Sequence, residues 1–228
     1  MNVDVDLWSW PLYAGDESAN GLRSLLSDDE RMRAEKIKND AARRNFILAR
    51  ARIRQILARH VCCDASQLQF VYGPNGKPAL KNCDLHFNLS HTSGWAVMAV
   101  TQDCSVGADI EELRPVTQDL ARRFFSTAEH AALTGLGPSE WTDAFFSIWT
   151  AKEAISKALG LGLTLDFSSF DVDSNAHTQM VLVPTAAGQA VHLSYRRFPC
   201  RPQIHGCVAI VADRPIALHH HAWEEVAW

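Results

Sequence analysis

Two segments of this sequence carry charged side chains among apolar neighbours, and charge in such places restricts how the chain can fold. Asp109 and Glu111 directly follow Val106-Gly107-Ala108, which is typical of a buried strand. Residues two apart on a strand point to the same side, so we expect both carboxylates on one face of a sheet. Carboxylates there cost desolvation free energy unless they are paired or bind a cation, although a lone Asp-x-Glu is more often an exposed strand face.

The second segment is Trp149–Lys157, in which Glu153 and Lys157 are spaced to share one face of a helix. An exposed pair of this kind would be a surface feature worth roughly 0.3–0.5 kcal/mol. The preceding Phe145 and Phe146 instead favour a mostly buried helix, on which charged groups are more often functional. Three carboxylates beside a lysine suit a hard divalent cation and a phosphate group.

Composition limits the classes of protein to consider. A chain of 228 residues with 47% hydrophobic and 21% charged residues is typical of a globular protein. The net charge of -4 argues against nucleic acid as a partner, although basic residues concentrate between positions 31 and 59. No apolar run approaches the ~20 residues of a membrane helix, and the first residues do not resemble a secretion signal. We therefore predict a cytoplasmic protein, not bound to a membrane, whose six cysteines are reduced.

Periodicity and turn residues predict the order of helices and strands. Helical patterns cover residues 27–39, 41–60, 117–134 and 140–160. Strand patterns cover residues 3–10, 85–90, 95–101, 105–110, 169–173, 178–183, 190–198 and 205–212. We expect the strands between 85 and 110 to form an antiparallel meander, and His219–His221 to be a solvated tail rather than a metal site.

Helices followed by strands occur twice, which indicates an α+β fold built from two similar units. The pivot lies near residues 102–105. The sequence thus predicts an N-terminal subdomain over 1–103 and a C-terminal subdomain over 104–228, with the site at their interface.

Two further motifs have both structural and functional interpretations. Gly76-Lys77-Pro78 is a stiff turn, which could also hold a lysine near a phosphate or a base. His91 ends a strand pattern that contains Asn88 and Ser90. Such a histidine is usually structural, but when protonated it could bind an anion through charge-assisted hydrogen bonds.

Four segments, taken in their order along the chain, resemble the 4'-phosphopantetheinyl transferases, and most of all their long, Sfp-like branch. The segments are Gly76–Pro78, Phe87–His91, Val106–Glu111 and Trp149–Leu163. The resemblance implies a monomer of two similar subdomains in pseudo-twofold arrangement, each an antiparallel sheet packed with helices. It also implies transfer of 4'-phosphopantetheine from coenzyme A to a serine of an acyl or peptidyl carrier protein.

The same resemblance implies roles for single residues. Asp109, Glu111 and Glu153 would bind Mg²⁺, with Mn²⁺ also possible, and Glu153, Lys157 and Lys152 would be catalytic. The implied coenzyme A contacts are Arg44, Arg50, Gly76, Lys77, Pro78, Asn88, Ser90, His91, Asp109 and Lys157. The carrier protein would contact residues 113–126, which combine apolar and basic side chains.

Two alternatives stay open at this point. One is a non-catalytic protein of the same fold that binds coenzyme A or a carrier protein. The other is an unrelated Mg²⁺-dependent enzyme that processes nucleotides, although the sequence contains no P-loop and no G-x-G-x-x-G motif.

Overall fold

The computed structural model describes residues 1–12, 21–92, 94–185 and 188–223. Its helices are α1 (Asp28–Lys36), α2 (Asp40–Val61), α3 (Gln118–Phe124), α4 (Thr127–Leu133) and α5 (Pro138–Leu159). Its strands are β1 (Val3–Pro11), β2 (Phe70–Tyr72), β3 (Pro78–Leu80), β4 (His86–Thr92), β5 (Trp95–Thr101), β6 (Val106–Glu112), β7 (Thr178–Pro184), β8 (Ala190–Arg201), β9 (Ile204–Ile210) and β10 (Ile216–Ala222). No helix in this part of the chain is long and apolar enough to cross a membrane.

The strands form two four-stranded sheets and a short hairpin. The first sheet has the order β10-β1-β5-β4, the second has the order β6-β9-β8-β7, and β2 pairs with β3. Strand β10 is parallel to β1, and the other pairings are antiparallel. The predicted α+β class, with antiparallel sheets packed with helices, is confirmed.

The two sheets lie between the two long helices. Apolar side chains of β1 and β5 meet those of β6 and β9 and form a core between the sheets. Helix α2 covers the other face of the first sheet, and α5 covers the other face of the second. Because β6 and α5 pack directly together, side chains on these two elements can form one site.

Helix α5 approaches β6 closely because residue 107 is glycine. A Cβ atom at this position would lie 2.1 Å from the carbonyl oxygen of Ala154 and 2.3 Å from the backbone nitrogen of Ala158. Both atoms belong to the helix backbone, which cannot turn aside as a flexible side chain could. Gly107 therefore sets the distance between the strand and the helix.

We expect Gly107→Ala to lower the free energy of unfolding by about 3 kcal/mol, the upper end of the range for overpacking. Urea unfolding followed by circular dichroism measures this loss. Gly73→Ala is the control, because the nearest atom to its Cβ would be the Lys77 carbonyl oxygen at 3.6 Å. Equal stability of the two variants would contradict the proposed role of Gly107.

Two secondary-structure predictions were wrong, and the helical prediction over 117–134 was confirmed except for a break. Strand β6 pairs with β9 rather than β5, so residues 85–110 do not form a meander. The pattern over 117–134 is divided into α3 and α4, because Phe125 has an extended backbone and Ser126 caps α4. Residues 169–173 contain the end of a 3-10 helix, Phe167–Ser169, and no strand.

The solvated tail was also a wrong prediction, because these histidines lie on β10. His219 contacts Asp4 at 2.8 Å, and His221 contacts Asp6 at 2.6 Å. Strand β10 completes the first sheet although it comes from the end of the chain. The subdomain boundary at residues 103 and 104 stays a prediction, and this pairing would assign β10 to the first unit.

Candidate active site

Asp109 and Glu111 of β6 lie on the face of the strand that meets α5. Asp109 Oδ1 is 2.6 Å from the Nζ atom of Lys157 on the helix. Glu153, one turn earlier on α5, interacts electrostatically with Asp109, Glu111 and Lys157. The structure therefore brings together the four charged residues whose spacing predicted a shared site.

Asp109 is buried, and its two carboxylate oxygens have different surroundings. Oδ1 accepts hydrogen bonds from Lys157 and from the hydroxyl of Ser90, the latter at 3.0 Å. Oδ2 is also buried and has no hydrogen-bond partner among the described residues. Burial raises the pKa of Asp109 above its usual value, and the charge of Lys157 opposes this shift.

Glu153 is half-buried, and this burial raises its pKa to about 7. The negative charge of Asp109 adds to the shift, whereas Lys157 opposes it. Glu111, at the edge of the group, accepts a hydrogen bond from Arg114 at 2.7 Å. Three carboxyl groups therefore share two cationic side chains, Lys157 in contact with Asp109 and Arg114 in contact with Glu111, so negative charge is incompletely compensated.

The donor set fits a hard divalent cation, because carboxylate oxygens are the ligands that Mg²⁺ prefers. The unpartnered buried oxygen of Asp109 supports this fit, since such an atom is costly without a partner. In the described ranges, no three His, Cys, Asp or Glu side chains are arranged to hold a metal ion. In this arrangement the ammonium group of Lys157 contacts Asp109 directly.

The raised pKa of Glu153 predicts how stability depends on pH. Between 4.5 and about 7, the folded protein still holds a proton that the unfolded chain has released. Stability of the metal-free protein should therefore fall as pH rises through this window and level off above it. Thermal unfolding between pH 4 and pH 8, with a chelator present, measures the slope.

Glu153→Gln should make this slope shallower, and the shift at Asp109, which acts in the same direction, should leave part of it. Added Mg²⁺ should raise the unfolding temperature of the wild-type protein more at pH 8 than at pH 5, because it competes with protons. An unchanged slope in Glu153→Gln would contradict the assignment of this titration to Glu153.

Lys152 does not contact the acidic group, which consists of Asp109, Glu111 and Glu153. Its fully buried ammonium group lies 2.8 Å from Glu129 and donates to the carbonyl oxygens of Phe167 and Phe170 at 2.5 and 2.7 Å. Consecutive residues on a helix do not face the same way, so the side chains of Lys152 and Glu153 lie in different surroundings. The contacts of Lys152 show a residue that joins α4, α5 and the segment after α5.

The turn at Gly76-Lys77-Pro78 joins the two halves of the chain. Lys77 donates to the Ser105 hydroxyl at 2.8 Å and to the carbonyl oxygens of Val106 and Ala158 at 3.0 and 2.9 Å. Burial lowers the pKa of Lys77 to about 8. Its ammonium group thus holds the start of β6 against the end of α5, and contact of this turn with coenzyme A stays a prediction.

The other predicted coenzyme A residues lie in several places. Arg50 forms an ion pair with Glu30 and packs on Phe70, so it holds α1 against α2. Arg44 is half-buried near the start of α2, and His91 is exposed on β4. Contact of Arg44, Arg50 and His91 with coenzyme A stays a prediction.

Sequence reasoning missed Ser105 and Glu129. No local pattern marks Ser105, whose hydroxyl also donates to the carbonyl oxygen of Ala158 at 2.6 Å. Glu129 did carry a signal, because Ser126 and Glu129 form a capping box. Only the folded chain shows that Glu129 also compensates the charge of Lys152.

A carboxylate cluster beside a lysine, at the junction of a strand and a buried helix, is an arrangement that suits a divalent cation and a phosphate group. Comparison with known proteins agrees, since a model of the 4'-phosphopantetheinyl transferase superfamily matches residues 105–209, which include β6 and α5. The chain belongs to this superfamily of transferase enzymes, and the resemblance inferred from its motifs is confirmed.

Three relatives show the extent of the similarity. The 4'-phosphopantetheinyl transferase HetI of Nostoc is 36% identical over 72% of this chain and 71% of that protein. The 4'-phosphopantetheinyl transferase psf-1 of Bacillus pumilus is 33% identical over 87% of this chain and 84% of that protein. The 4'-phosphopantetheinyl transferase Sfp of Bacillus subtilis is 31% identical over 68% of this chain and 70% of that protein.

Proposed function

We propose that this protein transfers the 4'-phosphopantetheine group of coenzyme A to a serine of an acyl or peptidyl carrier protein. The observation that carries the proposal is the meeting of Glu153 and Lys157 on α5 with Asp109 on β6, inside the segment that matches the family. The names of the relatives support the transferred group. The class of carrier follows from the resemblance of the motifs.

Asp109, Glu111 and Glu153 would hold a divalent cation, Mg²⁺ or Mn²⁺. When bound, such an ion neutralises negative charge on the phosphate oxygens. Lys157 adds positive charge beside the same group, and its side chain keeps 28% of its surface exposed, so it can reach a bound phosphate.

Glu153 is also the proposed proton acceptor, a role that competes with binding the cation. Without the cation, a pKa of about 7 leaves a large share of Glu153 ionised at neutral pH. The serine oxygen bonds to the phosphorus next to pantetheine, its proton passes to Glu153, and the bond from that phosphorus to the bridging oxygen breaks. The leaving group is 3',5'-ADP, whose developing charge Lys157 stabilises.

Mass spectrometry of apo carrier proteins incubated with coenzyme A and Mg²⁺ tests the proposal. Transfer adds about 340 Da to the carrier, the mass of the attached group. A chain that binds coenzyme A or the carrier but adds no mass under these conditions would favour the non-catalytic alternative. Controls without Mg²⁺ and without coenzyme A should show no addition.

The proposed carrier contact lies over residues 113–126. Arg122 and Arg123 are exposed on α3, whereas Phe124 packs inward against Trp149 and Phe167. An acidic carrier protein would meet the outward, basic side of this helix. Action as a monomer in the cytoplasm is part of the same proposal.

Reversing both charges, with Arg122→Glu and Arg123→Glu, should raise KM for the carrier about tenfold while kcat changes little, because electrostatic attraction mainly affects association. Steady-state assays with varied carrier concentration measure this change. Arg23→Glu is the control, because Arg23 lies outside the proposed surface and its side chain is 44% exposed. An unchanged KM in the double variant would remove residues 113–126 as the basic docking surface.

A further inference from the structure

The edges of the two sheets meet where β4 and β6 lie side by side. Strand β4 is the last strand of the first sheet, and β6 is the first strand of the second. An edge strand leaves alternate backbone N–H groups without a ladder partner, and burying such groups is costly. On β6, side chains of β4 accept hydrogen bonds from three of these groups.

Three side chains, each two residues from the next, form this side-chain ladder. Every bond joins residues twenty positions apart, so the two strands run parallel and in register. The bonds run from Ala108 N–H to Asn88 Oδ1 (2.9 Å), from Ile110 N–H to Ser90 Oγ (3.2 Å) and from Glu112 N–H to Thr92 Oγ1 (3.4 Å).

The ladder alternates with the acidic residues of the site. Its N–H groups belong to residues 108, 110 and 112, and the carboxylates are those of Asp109 and Glu111 between them. The side chains of Ala108 and Ile110 pack in the core between the sheets, so those of Asp109 and Glu111 point the other way, toward α5. A shift of β6 relative to β4 would move both carboxylates relative to Glu153 and Lys157.

We propose that Asn88 and Thr92 are positioning residues, which hold β6 so that Asp109 and Glu111 meet Glu153 and Lys157. The proposal rests on the proposed function, because it assigns the ladder to the cation and phosphate site. It replaces the predicted contact of Asn88 with coenzyme A by a contact with the backbone of β6. Ser90 is left out of the test, since it touches Asp109 and Lys157 directly.

Binding of Mn²⁺ to the full chain, followed by electron paramagnetic resonance, tests the proposal without the transfer reaction. Asn88→Leu removes the acceptor with little change in size and should weaken Mn²⁺ binding about tenfold, as loss of groups that orient metal ligands does. Thr92→Val should have a smaller effect, because its bond is longer. Thr92→Ser keeps the hydroxyl and should restore wild-type affinity.

In transfer assays, Asn88→Leu and Thr92→Val should lower kcat and leave KM for the carrier unchanged. Thr101→Val is the matched control, because the Thr101 hydroxyl makes a comparable bond of 2.8 Å to the Asp4 carbonyl oxygen elsewhere in the first sheet. This variant should lower the unfolding temperature without changing Mn²⁺ affinity.

If Asn88→Leu does not fold, the variants Thr92→Val and Thr92→Ser test the positioning role. Wild-type Mn²⁺ affinity and kcat in Thr92→Val would overturn the positioning role and leave the proposed function standing. A wild-type protein that binds no Mn²⁺ and modifies no carrier would instead refute the proposed function.

Discussion

Asp109→Asn is expected to reduce transfer of 4'-phosphopantetheine by about 10²–10³-fold, the usual effect of removing one electrostatic group from a site that stabilises charge. The same change should raise the unfolding temperature of the metal-free protein at pH 8. Burial raises the pKa of Asp109, so its charged form costs stability, whereas the asparagine is neutral and of nearly equal size.

Single-turnover transfer assays and thermal unfolding measure the two effects. Asp103→Asn is the control, because Asp103 lies outside the acidic group and pairs with Arg214 on the surface at 3.6 Å. It should change neither activity nor pH-dependent stability. Activity of Asp109→Asn within tenfold of the wild-type protein would refute the role of Asp109.

Lys152→Met is expected to lower the free energy of unfolding by about 3–5 kcal/mol, the cost of breaking a buried ion pair. The substitution leaves Glu129 buried without its charged partner, and two carbonyl oxygens lose their donor. Because Lys152 does not contact the acidic group, kcat per folded molecule should stay near the wild-type value at low temperature.

Urea unfolding and active-site-normalised rates separate the two roles of Lys152. Asp119→Asn is the stability control, since its pair with Arg122 is exposed and should be worth less than about 1 kcal/mol. A stable Lys152→Met protein that has lost its activity would restore Lys152 to the catalytic group.

Much of the site was predictable because its periodicities are local. A spacing of two on a strand and of four on a helix places Asp109 with Glu111 and Glu153 with Lys157, whatever the remaining chain does. The apolar residues around both pairs also predicted that β6 and α5 would be buried. Gly107 was visible in the sequence, but only packing shows that α5 needs its missing side chain.

Local periodicity does not determine which elements become neighbours. Lys152 shares a motif with Glu153 but contacts Glu129, and Lys77 leaves its turn to bind the end of α5. Strand β10 was not predicted because its exposed histidines resemble a polar tail, and pairing with β1 requires a contact across almost the whole chain.

Three features could be read without the structure: the α+β class from the order of helical and strand patterns, the family from the resemblance of four segments, and the shared faces of the acidic residues from their short spacing. Three other features became visible only in the folded chain: β6 pairs with β9 in the second sheet, β4 binds β6 through side chains, and Lys152 contacts Glu129 rather than the site. These outcomes depend on burial and hydrogen bonding between distant segments, which local spacing does not encode.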